Sequence, residues 1–271
     1  MEISSRGRWN IKRYLLKILR TVFHLIVKIN SKLPSILEMV AQSMQGKGSG
    51  TGTTEVEARM ALDFISQRGI TKPIVLDIGA NIGSYSEAIR KFAPQSTVFA
   101  FEPSSVARKS LEDRFIADSS VTVFPFALGN KNSKETLWTD TPGSGLASLT
   151  KRRLEHFSID FSESESVEVI TLDSWVSSAK VVPSLIKIDV EGHELDVLKG
   201  GFNTLALAQV VQFEFGGCNI DTRTFFQDFW YLFSQAGFTI YRISESGPIH
   251  ISRYSELDEC FRTTNYLAVR E

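Results

Sequence analysis

Six consecutive residues, Asp189-Val190-Glu191-Gly192-His193-Glu194, put three carboxylates and an imidazole directly after a short apolar run at 185–188. Such groups at the end of a buried strand suit proton abstraction, with Asp189 or His193 as general base and Glu191 beside them. They also suit an oxygen-ligated divalent ion. Asp189, Glu191 and Glu214, the last near the end of the apolar run 210–215, make a set that favours Mg2+ or Mn2+ over zinc. The plainer alternative is that Glu191 caps the following helix while His193 and Glu194 face solvent. His24, His156 and His250 keep no comparable company.

A second group lies upstream. Asp77 stands near the exit of the β-branched run 74–78, and Gly79, Asn81 and Gly83 follow at two-residue spacing, each able to take the positive φ of a tight turn under a ligand. Ser84 and Glu87 have the spacing of a capping box, so a helix is expected to start at once and to end before Pro94. Glu102 closes the next apolar run, 97–101, where a carboxylate can accept from two ribose hydroxyls. The glycine spacing is not the G-x-G-x-x-G of dinucleotide sites, and the turn holds no P-loop lysine or other basic residue. A neutral or cationic adenosine compound fits better than a polyphosphate, and S-adenosylmethionine is such a compound. Ala127, at the small-residue exit of the run 121–126, offers backbone against which an adenine ring could lie.

The elements that must position these groups alternate between strand and helix, which predicts a doubly wound α/β sheet. Strands are expected at 74–78, 97–101, 121–126, 185–188, 210–215, 239–243 and 266–269. In open α/β sheets ligands bind beyond the carboxyl ends of the strands, so Asp77, Glu102, Asp189 and Glu214 should face one crevice. Residues 131–178 read as an insertion over that edge, where loops set specificity. Thr54 and Glu57 give a second capping-box pattern. Phe225, Phe226, Phe229, Trp230 and Phe233 follow the sheet-facing side of a helix and are expected in the core.

The net charge of -1 over 271 residues hides an uneven distribution. Nine lysines and arginines face two glutamates before residue 55, and the rest of the chain is acidic, which argues against a broad basic surface for nucleic acid. Within 9–29, Arg13, Lys17, Arg20, His24 and Lys28 form one polar stripe on an otherwise apolar helix. A charge every turn is too costly for a membrane span but suits peripheral contact with an anionic membrane surface, or packing on the domain or a second subunit. Residues 1–42 thus read as a basic amphipathic helical segment, 43–54 as a flexible Gly/Ser/Thr linker, and 55–271 as the catalytic domain. Cys218 and Cys260 form no CxxC pair and are expected to be buried thiols in a reducing compartment. The expected location is cytoplasmic, peripheral at most on the inner face of a membrane.

Taken together, the motifs resemble the FkbM-type family of S-adenosylmethionine-dependent methyltransferases. The resemblance is carried by residues 75–83, by Phe101-Glu102-Pro103, by Ala127-Leu128-Gly129, by Thr171-Leu172-Asp173-Ser174, by residues 186–194, by Val211-Gln212-Phe213-Glu214 and by residues 265–269. The basic N-terminal segment lies outside it. It implies a Rossmann-like class I methyltransferase fold: a seven-stranded, mostly parallel sheet with helices on both faces and an antiparallel last strand. It implies O-methylation of a sugar, glycolipid or polyketide-like acceptor. By the same match Asp77, Gly79, Asn81 and Gly83 would hold the methionine part of the cofactor, Glu102 its ribose, and Asp189 would sit beside the sulfonium. A noncatalytic adenosine-cofactor-binding module attached to a membrane glycan-assembly system is the alternative; a dehydrogenase fits less well because of the glycine spacing.

Overall fold

A computed structural model describes residues 16, 17, 19, 20, 23, 31–48, 50 and 54–271. The chain divides into two compact units, residues 1–45 and 46–271. In the first, helix α1 (Leu33–Met44) opens with Pro34 in its first turn, where a missing N–H costs nothing. Most of the stretch 9–29 lies outside the described residues; of its described apolar members, Leu16, Leu19 and Phe23 are exposed. Among the described residues no helix is long and apolar enough to cross a membrane.

The second unit is built on strands β1 (Ile74–Ile78), β2 (Thr97–Phe101), β3 (Val121–Phe124), β7 (Leu185–Ile188), β8 (Val210–Phe215), β9 (Phe238–Arg242), β10 (Ile249–Ile251) and β11 (Thr264–Arg270). Their order is β10-β9-β11-β8-β7-β1-β2-β3. The run from β8 to β3 is parallel, and β11 lies antiparallel between β8 and β9. The expected class and the antiparallel last strand are present, but the sheet has eight strands rather than seven. The added β10 is a three-residue hairpin partner of β9, too short to leave a periodic pattern in the sequence. Between the third and fourth parallel strands, β4 (Ala127–Gly129), β5 (Ser133–Thr139) and β6 (Glu163–Thr171) form a small sheet of their own in the order β4-β6-β5.

Alternation along the strands feeds two cores. Leu76, Ile78, Ile186, Ile188, Phe213 and Phe215 pack on one face with α5 (Leu172–Ala179), α6 (Glu194–Gly200) and α7 (Phe226–Gln235). Val75, Val98, Leu185, Val210 and Leu267 pack on the other with α2 (Thr54–Ser66) and α3 (Ser84–Phe92). Phe226, Phe229 and Phe233 are fully buried as their spacing predicts, whereas Phe225 is half exposed.

Local signals proved less reliable at the helix starts. Gly83, left-handed at φ +88°, occupies the N-cap of α3, and Glu87 pairs with Arg114 at 2.6 Å instead of closing a capping box. Glu57 reaches inward from the first turn of its helix: it accepts from Gln212 at 2.8 Å and Asn265 at 2.9 Å. The expected linker is pinned where it is described. The Gly48 amide donates to Thr264 Oγ1 at 2.8 Å and the Gly50 amide to the Thr263 carbonyl at 2.9 Å. A Cβ on Gly50 would come within 2.9 Å of Thr263, so the glycine that suggested flexibility permits close backbone approach.

Candidate active site

The glycine turn is held from above and below. The Gly79 and Ala80 amides both donate to the Phe101 carbonyl at 3.0 Å, and the Asn81 amide donates to Glu102 Oε2 at 2.7 Å. Glu102 Oε1 accepts from the Ser104 amide at 2.8 Å, so this buried carboxylate ties the turn to the end of β2. Burial pushes its pKa up to about 7 against the pull of these backbone donors. Beneath the turn, Asp77 accepts from Ser86 Oγ at 2.6 Å and pairs with Lys187 at 3.3 Å. Lys187 Nζ also donates to the Gly79 carbonyl at 3.0 Å and reaches Asp189 Oδ2 at 3.5 Å. β1 and β7 pair with Asp77 opposite Lys187, which puts both side chains on the same face.

After β7 the chain turns sharply, with Glu191 at φ +52° and Gly192 at φ +104°. Glu194 fastens this turn: its Oε1 accepts from the Val190 and Gly192 amides, each at 3.0 Å. Being fully buried, Glu194 does not face solvent, which excludes that part of the plainer reading. Glu191 binds Arg152 at 2.5 Å, and Arg152 also approaches Asp221 at 3.6 Å. Burial and the neighbouring Asp189 charge push the Glu191 carboxyl up, to about 8, in opposition to Arg152. His193 is clamped at both nitrogens, Nδ1 to Asp196 Oδ2 at 3.0 Å and Nε2 to Thr150 Oγ1 at 2.9 Å. The His193 hydrogen bond holds the Asp196 carboxyl below its ordinary range. An ionised Asp196 accepts from Nδ1–H, and Nε2 is then the acceptor for Thr150.

Gly79, Asn81, Glu102, Ala127, Asp189, Glu191 and His193 all line one cavity of about 210 Å3. Phe101, Phe126, Leu137 and Leu149 give it apolar walls, and Ser144, Gly145 and Ala147 come from the inserted stretch. Three of the expected residues are placed elsewhere. Asp77 is wholly buried under the turn because Ser86 and Lys187 draw its carboxylate down. Gly83 lies against α4 (Ser105–Arg114), where a Cβ would meet Leu111 at 2.5 Å. Glu214 is buried and does not line the cavity, so the four strand-end acids do not share one crevice.

The expected metal set is also rearranged. The structure groups Glu191 and Glu214 with Cys218, their ligand atoms within 4.8 Å of one another, and Asp189 is not among them. Arg152 already neutralises Glu191, while burial raises the pKa of both Glu214 and the Cys218 thiol. A carboxylate already paired with Arg152, a second deeply buried carboxyl and a thiol do not fit Mg2+ or Mn2+, which take several ionised oxygen donors.

The family model described as Methyltransferase FkbM domain matches residues 77–240, more than half of the chain and the whole of this cavity. The chain belongs to the FkbM methyltransferase family. It is similar to 2-O-methyltransferase NoeI of Sinorhizobium fredii, at 28% identity over 153 residues, 53% of this chain and 63% of that protein. It is also similar to hexuronic acid methyltransferase AglP of Haloferax volcanii, at 32% identity over 136 residues, 49% of this chain and 51% of that one. The chain thus spans under two thirds of the length of these curated relatives. A crystal structure of Methyltransferase FkbM from Methylobacillus flagellatus aligns with a TM-score of 0.44 at 17% identity, covering 73% of this chain and 44% of that one.

For this FkbM-family chain, sequence reasoning missed Lys187, Asp196, Thr150 and Arg152. Lys187 left a signal, being a lone cation inside an apolar strand. Asp196 left a weaker one, three residues from His193 and so on the same helix face. Thr150 and Arg152 left none, since they arrive from a loop some forty residues away in sequence.

Proposed function

We propose that this FkbM-family chain transfers a methyl group from S-adenosylmethionine to a hydroxyl oxygen of a sugar, a glycolipid or a polyketide-like product. The observation that carries the reading is one cavity lined by the glycine turn, by Glu102 and by His193, which Asp196 backs. The similarity to AglP, a hexuronic acid methyltransferase, favours a sugar, and that to NoeI, a 2-O-methyltransferase, favours oxygen as the methylated atom. When bound, the cofactor supplies an electrophilic methyl on a sulfonium. Gly79 and Asn81 would bring bare backbone to its methionine part, Glu102 would accept from its ribose hydroxyls, and Phe126 and Ala127 would lie against the base. Asp189 would complement the positive sulfur.

His193 is the base in this reading. Nε2 would take the proton that the acceptor hydroxyl gives up as its oxygen receives the methyl group. Asp196 holds the ring in the required tautomer and stabilises the imidazolium. A divalent ion is not invoked, because Arg152 occupies Glu191. Calorimetric titration with S-adenosylmethionine and S-adenosylhomocysteine tests the first half; absence of binding to folded protein would remove the proposal. With an acceptor in hand, His193→Ala should lower turnover by about 10²–10⁴-fold. Affinity for S-adenosylhomocysteine should be unchanged. Full turnover in His193→Ala would exclude this base.

Glu102 makes the binding step pH-dependent. Only the ionised carboxylate can accept both ribose hydroxyls, and its pKa is raised to about 7. Affinity for S-adenosylhomocysteine should therefore fall about tenfold per pH unit as pH drops below that value. Its contribution to folding runs the other way. An acid with a raised folded pKa keeps its proton longer in the folded state, so stability from this group declines between about pH 4.3 and 7 and is level above. Calorimetry from pH 5.5 to 8.5 checks the binding arm, and a Glu102→Gln profile as steep as that of the wild type would refute it.

A further inference from the structure

His193 lines two hollows. Beside the cavity described above lies a separate groove of about 220 Å3, walled by Asn130, Lys131, Ser133, Glu135 and Asp196 on its polar side and by Leu149 and Val169 on its apolar side. Leu128, Leu149 and His193 line both, so the two hollows adjoin along these three residues. One of them carries the glycine turn and Glu102. The other has no glycine turn and no aromatic wall for a base, and is edged by hydrogen-bonding side chains.

The groove is built rather than incidental. Asn130 donates to Asp196 Oδ1 at 2.9 Å while Asp196 Oδ2 holds His193, so one carboxylate fixes both the groove rim and the ring. Its backbone wall is close-packed, since a Cβ on Gly200 would overlap the Gly129 carbonyl. Lys131 and Glu135 make no ion pair among the described residues, and with Asp196 they give the groove charges of both signs. Mixed donors and acceptors facing a small aliphatic wall complement a pyranose ring, which presents hydroxyls at its edge and C–H groups on its face. The Thr150 hydroxyl, 2.9 Å from His193 Nε2, occupies a position suited to an incoming hydroxyl.

We propose that this groove is the acceptor subsite and takes a single glycosyl unit, which presents one hydroxyl to His193 in place of that of Thr150. Asn130 and Asp196 act here as positioning residues. The proposal rests on the methyltransferase reading above, and its test is arranged to fail separately from it.

The test uses the full chain, isotope-labelled and saturated with S-adenosylhomocysteine, titrated with methyl glucoside and methyl glucuronide as probes. Saturable NMR shifts are expected at Asn130, Lys131, Ser133 and His193. Ser133→Trp, which fills the groove, should weaken the sugar by about tenfold or more, a loss of about 1.4 kcal/mol. Its S-adenosylhomocysteine affinity should be unchanged. Should Ser133→Trp not fold, Lys131→Ala, on the exposed rim, is expected to weaken the same probes severalfold. Normal cofactor binding with no sugar-dependent shift at these residues, or shifts that neither substitution affects, overturns the subsite. If S-adenosylhomocysteine itself does not bind, the methyltransferase reading falls, and the same titration on cofactor-free protein still decides whether the groove takes a sugar.

Discussion

Gly79→Val is expected to abolish cofactor binding and to destabilise the protein by about 3–6 kcal/mol, combining left-handed backbone strain with overpacking. Gly79 sits at φ +76°, and a Cβ there would overlap the Asp189 carbonyl oxygen and lie 2.8 Å from its carbon. Backbone atoms cannot rotate aside as a side chain can. Relief requires the exits of β1 and β7 to separate, which would break the bonds from the Asp189 amide to Ile78 and from Lys187 to Gly79. Against a typical total of about 5–15 kcal/mol this is a large loss. At about 2–4 °C per kcal/mol, the melting temperature should fall by about 10–20 °C. Because the clash begins at Cβ, Gly79→Ala should show most of the effect. Thermal unfolding followed by circular dichroism checks it, and an alanine variant as stable as wild type would show that the turn can move away from β7.

The second large effect is at Lys187, the cation under the turn. Lys187→Met should cost about 3–5 kcal/mol, since it leaves buried Asp77 without its counter-charge. Asp77 is fully inaccessible to solvent and would keep only Ser86 as a donor. Burial works against the ammonium, but Asp189 and Asp77 more than offset it, and the pKa of Lys187 lies above the ordinary lysine value. A lysine with a raised folded pKa contributes stability that is complete below its unfolded pKa and is lost only as pH rises through the folded one. The Lys187 contribution should thus be constant up to about pH 10. The Gly79 carbonyl would also lose its donor, so S-adenosylhomocysteine affinity should drop together with stability. Adding Asp77→Asn to Lys187→Met should recover much of the loss, because the unpaired charge is then gone. Urea unfolding at pH 7 measures both; a single variant within about 1 kcal/mol of wild type would mean that Lys187 does not hold the turn.

The two predictions differ in how visible their causes are in the sequence. Gly79 could be singled out from its neighbours alone, but what it touches could not: Asp189 is more than a hundred residues away. Asp77 was placed correctly at its strand end, yet assigned to the ligand side. Alternation says which residues share a face, not which face meets the cavity, and only the pairing of β1 with β7 shows that Lys187 draws Asp77 down. Glu87 is misplaced for a related reason. A capping box offers a carboxylate one local bond, and Arg114, from a helix distant in the chain, offers a charged alternative.

By itself, then, the sequence determined the parallel α/β order, the antiparallel last strand, the glycine turn, and the gathering of Glu102, Asp189, Glu191 and His193 at strand ends. These follow from short-range spacing, which sets backbone conformation and side-chain face through local sterics. Tertiary structure alone decided the eighth strand, the Lys187 bridge, the clamp of Asp196 and Thr150 on His193, the displacement of Glu214 toward Cys218, and the second groove. Each depends on register and packing between segments far apart in the chain, where the favourable arrangement is fixed by contacts summed over the whole sheet and not by any one stretch.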